Sequence, residues 1–240
     1  MGEVFAGRYE LIDLIGEGGM GTIWVALDRK TDGLVAAKVL RQSDAGTLLR
    51  FVREQSVRIH DPNVLTPLGW AGEDDRVLFT MPIIRGGSVA TLVGDHGPLP
   101  PHLVAELLRQ TLSGLAAVHA ADIVHRDVSP QNVLLGVNGA VKLIDFGIAR
   151  LTDHFDEPSD AIFTPPPPRR RTDIGVAIGT PGYMPLEAGL TTPDERFDVY
   201  SLGATLYELC TGKLPELEPT PPLHEGLPGC DAPTDLAVVL

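Results

Sequence analysis

The sequence predicts an α+β chain built as two lobes of different class, and three features carry that prediction. Residues 1–84 alternate apolar and polar side chains in short runs separated by turn dipeptides, the pattern of a small, mostly antiparallel sheet. Beyond Gly86-Gly87 the apolar residues recur at helical spacing instead. A length of 240 residues with 43% hydrophobic content suffices for a sizeable core, as one large domain or two small lobes. The expected boundaries are 1–84 and 85–240, joined near residues 82–86, and a cleft between two such lobes is a common ligand site.

Each element has its own justification. In "TIWVALD", Ile23, Val25 and Leu27 share one strand face and Thr22, Trp24 and Ala26 the other. "LVAAKVL" (Leu34 to Leu40) is a second strand, with Asp32-Gly33 as the hairpin turn between them. "TLLRFVREQSVRIH" reads as the single helix of this lobe, stopped by Asp61-Pro62. "NVLTPLGWA" and "RVLFTMPII" are two further strands about the polar "GEDD" turn. In the second lobe a helix opens at Pro100-Pro101 and buries Val104, Leu107, Leu108, Thr111, Leu115 and Val118. Another follows Asp198, with Leu202, Leu206 and Leu209 on one face and Gly212 just past its end. "HFDEPSDAIFTPPPPRRRTD" follows neither period; its run of prolines favours extended backbone, which predicts a solvated loop.

Bulk properties exclude several classes. A formal net charge of -13, from 32 acidic and 19 basic residues, disfavours a general nucleic-acid binder, and the clustered arginines are confined to Arg169, Arg170 and Arg171. Cys210 and Cys230 make neither a disulfide framework nor metal-ligand spacing, so a reducing, cytoplasmic setting is expected. No apolar run approaches the roughly 18 residues of a membrane span, and "MGEVFAGRYE" lacks the apolar stretch of a signal peptide.

The chemistry-bearing residues fall into a few short motifs. Gly16, Gly18 and Gly21 form G-x-G-x-x-G, weak evidence alone, but here followed by a strand rather than a helix; such a strand-turn-strand lets backbone N–H groups close over phosphates. Lys38 ends "VAAK" on the next strand, where a lysine is costly unless paired with anions, and Glu54 could supply a pairing. In "IVHRDVSPQNVLLGVNGAVKLIDFG", Asp127 and Asn132 share a loop and Asp145 precedes Phe146-Gly147; their oxygens are hard ligands suited to a magnesium ion bridging phosphates. Singly, each could be a turn former or a cap.

Taken together and in this order, these residues resemble the signature set of protein kinases, and most closely the bacterial serine/threonine kinases of the eukaryotic type. The resemblance runs from "GRYELIDLIGEGGMGTIW" through "VAAK", "HRDVSPQN", "DFGIAR" and "GTPGYMPLEAG" to "DVYSLGATLYELCTGKLP". It implies a bilobal kinase-like fold and an ATP- and Mg²⁺-dependent enzyme (with Mn²⁺ as an alternative) that phosphorylates serine and threonine on proteins in signalling. It implies that Ile15, Gly16, Glu17, Gly18, Gly19 and Gly21 cover the ATP phosphates, and that Lys38 holds them while paired with Glu54. Met81 would be the gatekeeper, Pro82 and Ile84 would meet the adenine edge, and Ile23, Ala36 and Leu134 would sandwich the ring. Asn132 and Asp145 would hold the metal, and Asp127 would accept the proton of the substrate hydroxyl. Thr180 would line that hydroxyl's pocket, and Arg126 would pair with a phosphate on the loop 148–184, at Thr172 or else Thr164. A homodimer serving autophosphorylation in trans is the implied assembly.

Some residues depart from the family pattern. Ser129 stands where a lysine usually neutralises the γ-phosphate, a contact of a kind worth about 2.7–4 kcal/mol; a slower but competent kinase is expected. The helix carrying Glu54 is short, and Arg58 is an odd residue for the hydrophobic spine of the family. "PLE" at Pro185 to Glu187 replaces Ala-Pro-Glu, and the chain stops at Leu240 before the helix that would pair with Glu187, which suggests a truncated C-terminal end. "ELEPTPPLHEGLPG" suggests a degenerate substrate-docking helix. A pseudokinase or nucleotide-binding scaffold is therefore the alternative to an active kinase, and a small-molecule phosphotransferase, which would not need "GTPGYM", is the third reading.

Overall fold

The computed structural model describes residues 3–18, 21–41, 59–74, 76–145 and 179–215. The described residues divide into two compact units, one formed by the chain up to His60 with Leu65–Arg85, the other by Asp61–Val64 with the chain from Gly86 onward. The helix expected around Glu54 and Arg58, the proline-rich loop with Arg169 to Arg171, Phe146-Gly147, Cys230 and "ELEPTPPLHEGLPG" lie outside the described residues.

The first unit is a six-stranded antiparallel sheet of β1 (Val4–Phe5), β2 (Tyr9–Gly18), β3 (Gly21–Asp28), β4 (Gly33–Arg41), β5 (Gly69–Glu73) and β6 (Arg76–Met81), in the order β1-β2-β3-β4-β6-β5. Cross-strand partners share a face, so the register sorts the side chains. One face gathers Phe5, Tyr9, Leu11, Ala26, Val35, Ala37, Val39 and Leu78 into an apolar cluster, against which Trp24 and Ala71 pack. The other carries Ile23 opposite Lys38, Lys38 opposite Phe79, and Ala36 opposite Met81. The alternation of "TIWVALD" thus resolves into a core side, Trp24 and Ala26, and a second side with Ile23 and Val25.

Two expectations are corrected in detail. The β3–β4 turn is Arg29 to Asp32, and Asp32 rather than Gly33 takes the left-handed conformation, with φ 54°. The cause is Asp28: its carbonyl accepts from the amides of Thr31 and Asp32, its carboxylate from the amide of Lys30 and, in two bonds of 2.7 Å, from the guanidinium of Arg8. "NVLTPLGWA" is a ladder strand only from Gly69 onward. Asp61 caps the amide of Asn63 at 2.7 Å and turns the chain, and Pro67 has no N–H to offer a ladder; Asn63 and Val64 pack instead in the second unit, where Val64 bridges Leu143 in parallel.

The second unit contains α1 (Val89–His96), α2 (Pro101–His119), a short 3-10 helix (Pro130–Asn132), the hairpin β7 (Val133–Leu135) and β8 (Val141–Leu143), and α3 (Glu195–Thr211). Ser88 caps α1 by accepting from the amide of Thr91. Pro101 opens α2 at a position that needs no donor, and the expected stripe is buried except Leu108, with Gly114 added to it. α3 starts earlier than its apolar spacing suggested: Asp194 is the cap, which places Asp198 inside the first turn, and Gly212 ends the helix in the left-handed conformation. Among the described residues no helix is long and apolar enough to cross a membrane.

Candidate active site

The loop that carries Asp127 is shaped by a carboxylate distant in sequence. Asp198 is wholly buried in the first turn of α3, and it accepts 2.7 Å hydrogen bonds from the backbone amides of His125 and Arg126 and from Nε2 of His119. Arg126 is bent into the left-handed region, with φ 69°, a conformation unfavourable for a side-chain-bearing residue unless its surroundings enforce it. The two amides on Asp198 are that enforcement.

His125 packs completely buried beneath the loop. Its Nε2 donates to the carbonyl of Ile144 at 2.9 Å, leaving Nδ1 to accept from the amide of Asp127 at 3.3 Å. Burial pushes the imidazole below the ordinary histidine value, against the opposing pull of Asp198, Asp127 and the Ile144 carbonyl. A neutral imidazole thus links the Asp127 loop to the segment just before Asp145.

Asp127 itself is held from two sides. Oδ1 accepts from both the amide and the hydroxyl of Thr180, at 2.8 and 2.6 Å. Oδ2 accepts from Nδ2 of Asn132 at 2.8 Å, and the same nitrogen donates to the Asp127 carbonyl. Thr180 arrives there because Gly179 precedes it: at φ 137°, with an added Cβ falling 2.7 Å from the carbonyl of Arg126, no larger residue lets the two segments approach so closely.

Asn132 and Asp145 flank the β7–β8 hairpin. Asn132 immediately precedes β7, Asp145 follows Ile144 beyond β8, and the amide of Ile144 donates to the carbonyl of Asn132 at 3.0 Å, closing the base of the hairpin. Asp145 has φ 63°, a second left-handed residue in the same region. The donor set fits a hard divalent cation: the Nδ2 of Asn132 is committed to Asp127, which leaves Oδ1 as its acceptor, and Asp145 supplies a carboxylate. Among the described residues no cluster of three or more His, Cys, Asp or Glu could hold a metal ion.

In the first unit, Gly16 pairs with Ile23 and Gly18 with Gly21 across β2 and β3. Gly21 is obligatory on its own account: φ is 145°, and a Cβ there would run into the carbonyl of Val39. Lys38 is buried at the centre of the sheet face that also carries Ile23, Ala36 and Met81.

Comparison with known proteins gives the family of the chain. The family model described as "Protein kinase domain" matches residues 9–221. The chain belongs to the protein kinase family. Among curated relatives of this kinase chain, the serine/threonine-protein kinase pkn3 of Myxococcus xanthus is 35% identical over 226 residues, covering 90% of the chain and 40% of the relative. PknL of Mycobacterium tuberculosis is 38% identical over 214 residues, covering 87% and 50%, and PkaA of Streptomyces coelicolor is 36% identical over 228 residues, covering 87% and 39%. The kinase chain spans half or less of the length of each of these relatives.

Of the residues singled out from the kinase motifs, Arg126, Asp127, Asn132, Asp145 and Thr180 come together in the second unit, and Leu134 lies beside them on β7, bridged to Ser88. Ile15, Gly16, Glu17, Gly18, Gly21, Ile23, Ala36, Lys38 and Met81 lie in the first unit, with Met81 the last ladder residue before Pro82 and Ile84. Glu54, Gly19, Thr164 and Thr172 lie outside the described residues. Glu187, for which a partner helix was expected beyond the chain, is exposed, and a carboxylate in water carries no buried-charge cost.

Sequence reasoning missed Asp198, His119 and Gly179. An acidic residue one turn before the apolar Leu202, Leu206 and Leu209 of the same helix was the available signal for Asp198: a carboxylate buried there is retained only where donors meet it.

Proposed function

We propose that this chain transfers the γ-phosphoryl group of ATP to serine and threonine hydroxyls of proteins, including threonines of its own loop 148–184. The observation that carries the reading is the Asp127 carboxylate, fixed by Thr180 on one oxygen and Asn132 on the other. In this reading Asp127 accepts the hydroxyl proton as the hydroxyl oxygen bonds to the γ-phosphorus and the bond to the β–γ bridging oxygen breaks, releasing ADP. Thr180 positions the acceptor at Asp127, and its place beside the proton acceptor supports a serine/threonine substrate.

Asn132 and Asp145 would hold the divalent ion, which when bound would supply positive charge to neutralise the phosphates. Their all-oxygen donor set supports Mg²⁺ over softer metals, with Mn²⁺ the natural substitute. Lys38 contacts the phosphates, Glu54 orients Lys38, and the segment from Ile15 to Gly21 covers them, while Met81, Pro82, Ile84, Ile23, Ala36 and Leu134 bound the adenine. Thr172, with Thr164 as second choice, is the loop phosphosite read by Arg126, and the transfer runs in trans within a homodimer. A cytoplasmic location suits both the nucleotide and the sparse cysteines.

The deciding experiment incubates the purified chain with labelled ATP and Mg²⁺ beside an Asp127→Asn control and maps the label by mass spectrometry. Phosphate on loop threonines, absent in the control, is the expected result. Equal label in both, or none in either, removes the proposal.

A further inference from the structure

We infer that Gln110 is a positioning residue for Asp145, acting through β8; the inference rests on the reading of Asn132 and Asp145 as metal ligands. β7 has its outer edge secured by backbone, since the amide of Leu135 donates to Gly87 and that of Gly86 donates to Leu135, at 2.9 and 2.8 Å. Among the described residues, backbone meets the outer edge of β8 only at Leu143, through Asn63 and Val64. Val141 and Leu143 are wholly buried, so their edge groups cannot turn to water and must find partners in the protein.

At Val141 two amide side chains supply them in place of backbone. Gln110, on α2, accepts from the amide of Val141 at 2.9 Å, and Asn63 donates Nδ2 to the carbonyl of Val141 at 3.0 Å. The pair is cross-linked, Asn63 Nδ2 to Gln110 Oε1 at 3.1 Å, and the carbonyl of Asn63 continues the edge by accepting from the amide of Leu143 at 2.8 Å. Nε2 of Gln110 donates to Gly139 in the hairpin turn at 3.2 Å and to Glu106 one helical turn back at 2.9 Å, and Arg109 holds Glu106 in turn. Gln110 therefore bonds β8, the hairpin turn and the Asn63 segment at once.

What β8 delivers is Asp145. The strand runs into Ile144, whose amide is bonded to Asn132, and then into the left-handed Asp145. The spacing of the two metal-binding residues consequently depends on the register of β8, and Gln110 fixes that register from the helix. Gln110 touches neither metal nor substrate; it acts at one remove, as hydrogen-bond partners behind metal ligands commonly do.

The test is a Mg²⁺ titration of ATP-induced thermal stabilisation in the full chain, with EDTA as baseline. Gln110→Met, close in shape but without polar atoms, is expected to raise the Mg²⁺ concentration for half-maximal stabilisation about tenfold. A merely structural role would lower the melting temperature in EDTA and leave that midpoint in place, and such a result overturns the inference. Should Gln110→Met fail to fold, Gln110→Glu carries the test. It keeps the acceptor for Val141 and loses both Nε2 donations, so a smaller shift in the same direction is expected and an unmoved midpoint again overturns the inference. A native chain that ATP and Mg²⁺ leave unstabilised would remove the metal reading itself, and this inference with it; that outcome is distinct from a native chain that responds and a variant that responds equally.

Discussion

Thr180 reaches Asp127 twice through one oxygen, with its amide at 2.8 Å and its hydroxyl at 2.6 Å, both on Oδ1. The backbone bond ties two segments of the second unit together, while the hydroxyl sets the direction of the carboxylate. Thr180→Val keeps the first and deletes the second, so the autophosphorylation rate should fall by about a hundredfold, in line with the cost of a small misplacement at a reacting group. Thr180→Ser should restore most of it. Valine and threonine forms with equal initial rates would show that the hydroxyl does not matter.

Asp198 is a stability determinant as much as a site residue. Asp198→Asn replaces one acceptor oxygen by a donor, leaving a loop amide or the His119 ring without its partner in a buried place. Since an unsatisfied buried donor costs roughly 1–3 kcal/mol, unfolding in urea should show a loss of about 2–4 kcal/mol, accompanied by loss of phosphorylation. A variant as stable as the parent would mean that the loop conformation is secured elsewhere.

His125 gives the fold a pH dependence whose sign is fixed. Its folded-state value is depressed by burial, whereas in the unfolded chain it titrates near the ordinary value of about 6.5. The unfolded state thus takes up the proton first. The contribution of His125 is fully present above that pH and is lost as pH falls through it, at up to about 1.4 kcal/mol per pH unit. Urea unfolding at pH 7.5 and 5.5 should show this slope in the parent and a flatter one in His125→Gln; identical slopes would refute the assignment.

Ala6 sits at φ 48° beside Gly7 at φ 66°, in the turn closed by the Arg8 amide donating to Phe5. Only glycine occupies that region without cost, so Ala6→Gly should raise stability by about 0.5–1 kcal/mol despite the entropy of the unfolded glycine. Thermal melting of the two proteins is the check, and a lower melting temperature for the glycine form would count against the turn assignment.

Ser129 is wholly buried, and its hydroxyl has no hydrogen-bond partner among the described residues. A hydroxyl in that condition stabilises nothing, so Ser129→Ala should be neutral or stabilising by up to about 1 kcal/mol and should leave the phosphorylation rate unchanged. A marked fall in rate would give the hydroxyl a role in the chemistry instead.

Several parts of this protein were legible from local rules. Strand alternation marked β3, an apolar run after a turn dipeptide marked β4, helical spacing marked α2, and Gly212 marked the end of α3, because these depend on a residue and its near neighbours. The order of glycine turn, lysine, aspartate with asparagine, and aspartate with glycine likewise pointed to nucleotide chemistry. The start of α3 was less legible, since Asp194 caps the helix ahead of its first apolar residue and the apolar spacing carries no signal there.

The sequence by itself determined which chemical groups are present and on which elements they ride, since periodicity and motif order are properties of the chain read in line. Only the tertiary structure decided how those groups are held. Asp198 bending the Arg126 backbone, Thr180 binding the carboxylate of Asp127, and Gln110 with Asn63 holding the edge of β8 at Val141 are all hydrogen bonds between residues far apart in the chain. Such bonds form because buried polar groups must find partners once water is excluded, and the choice of partner is made by packing in three dimensions.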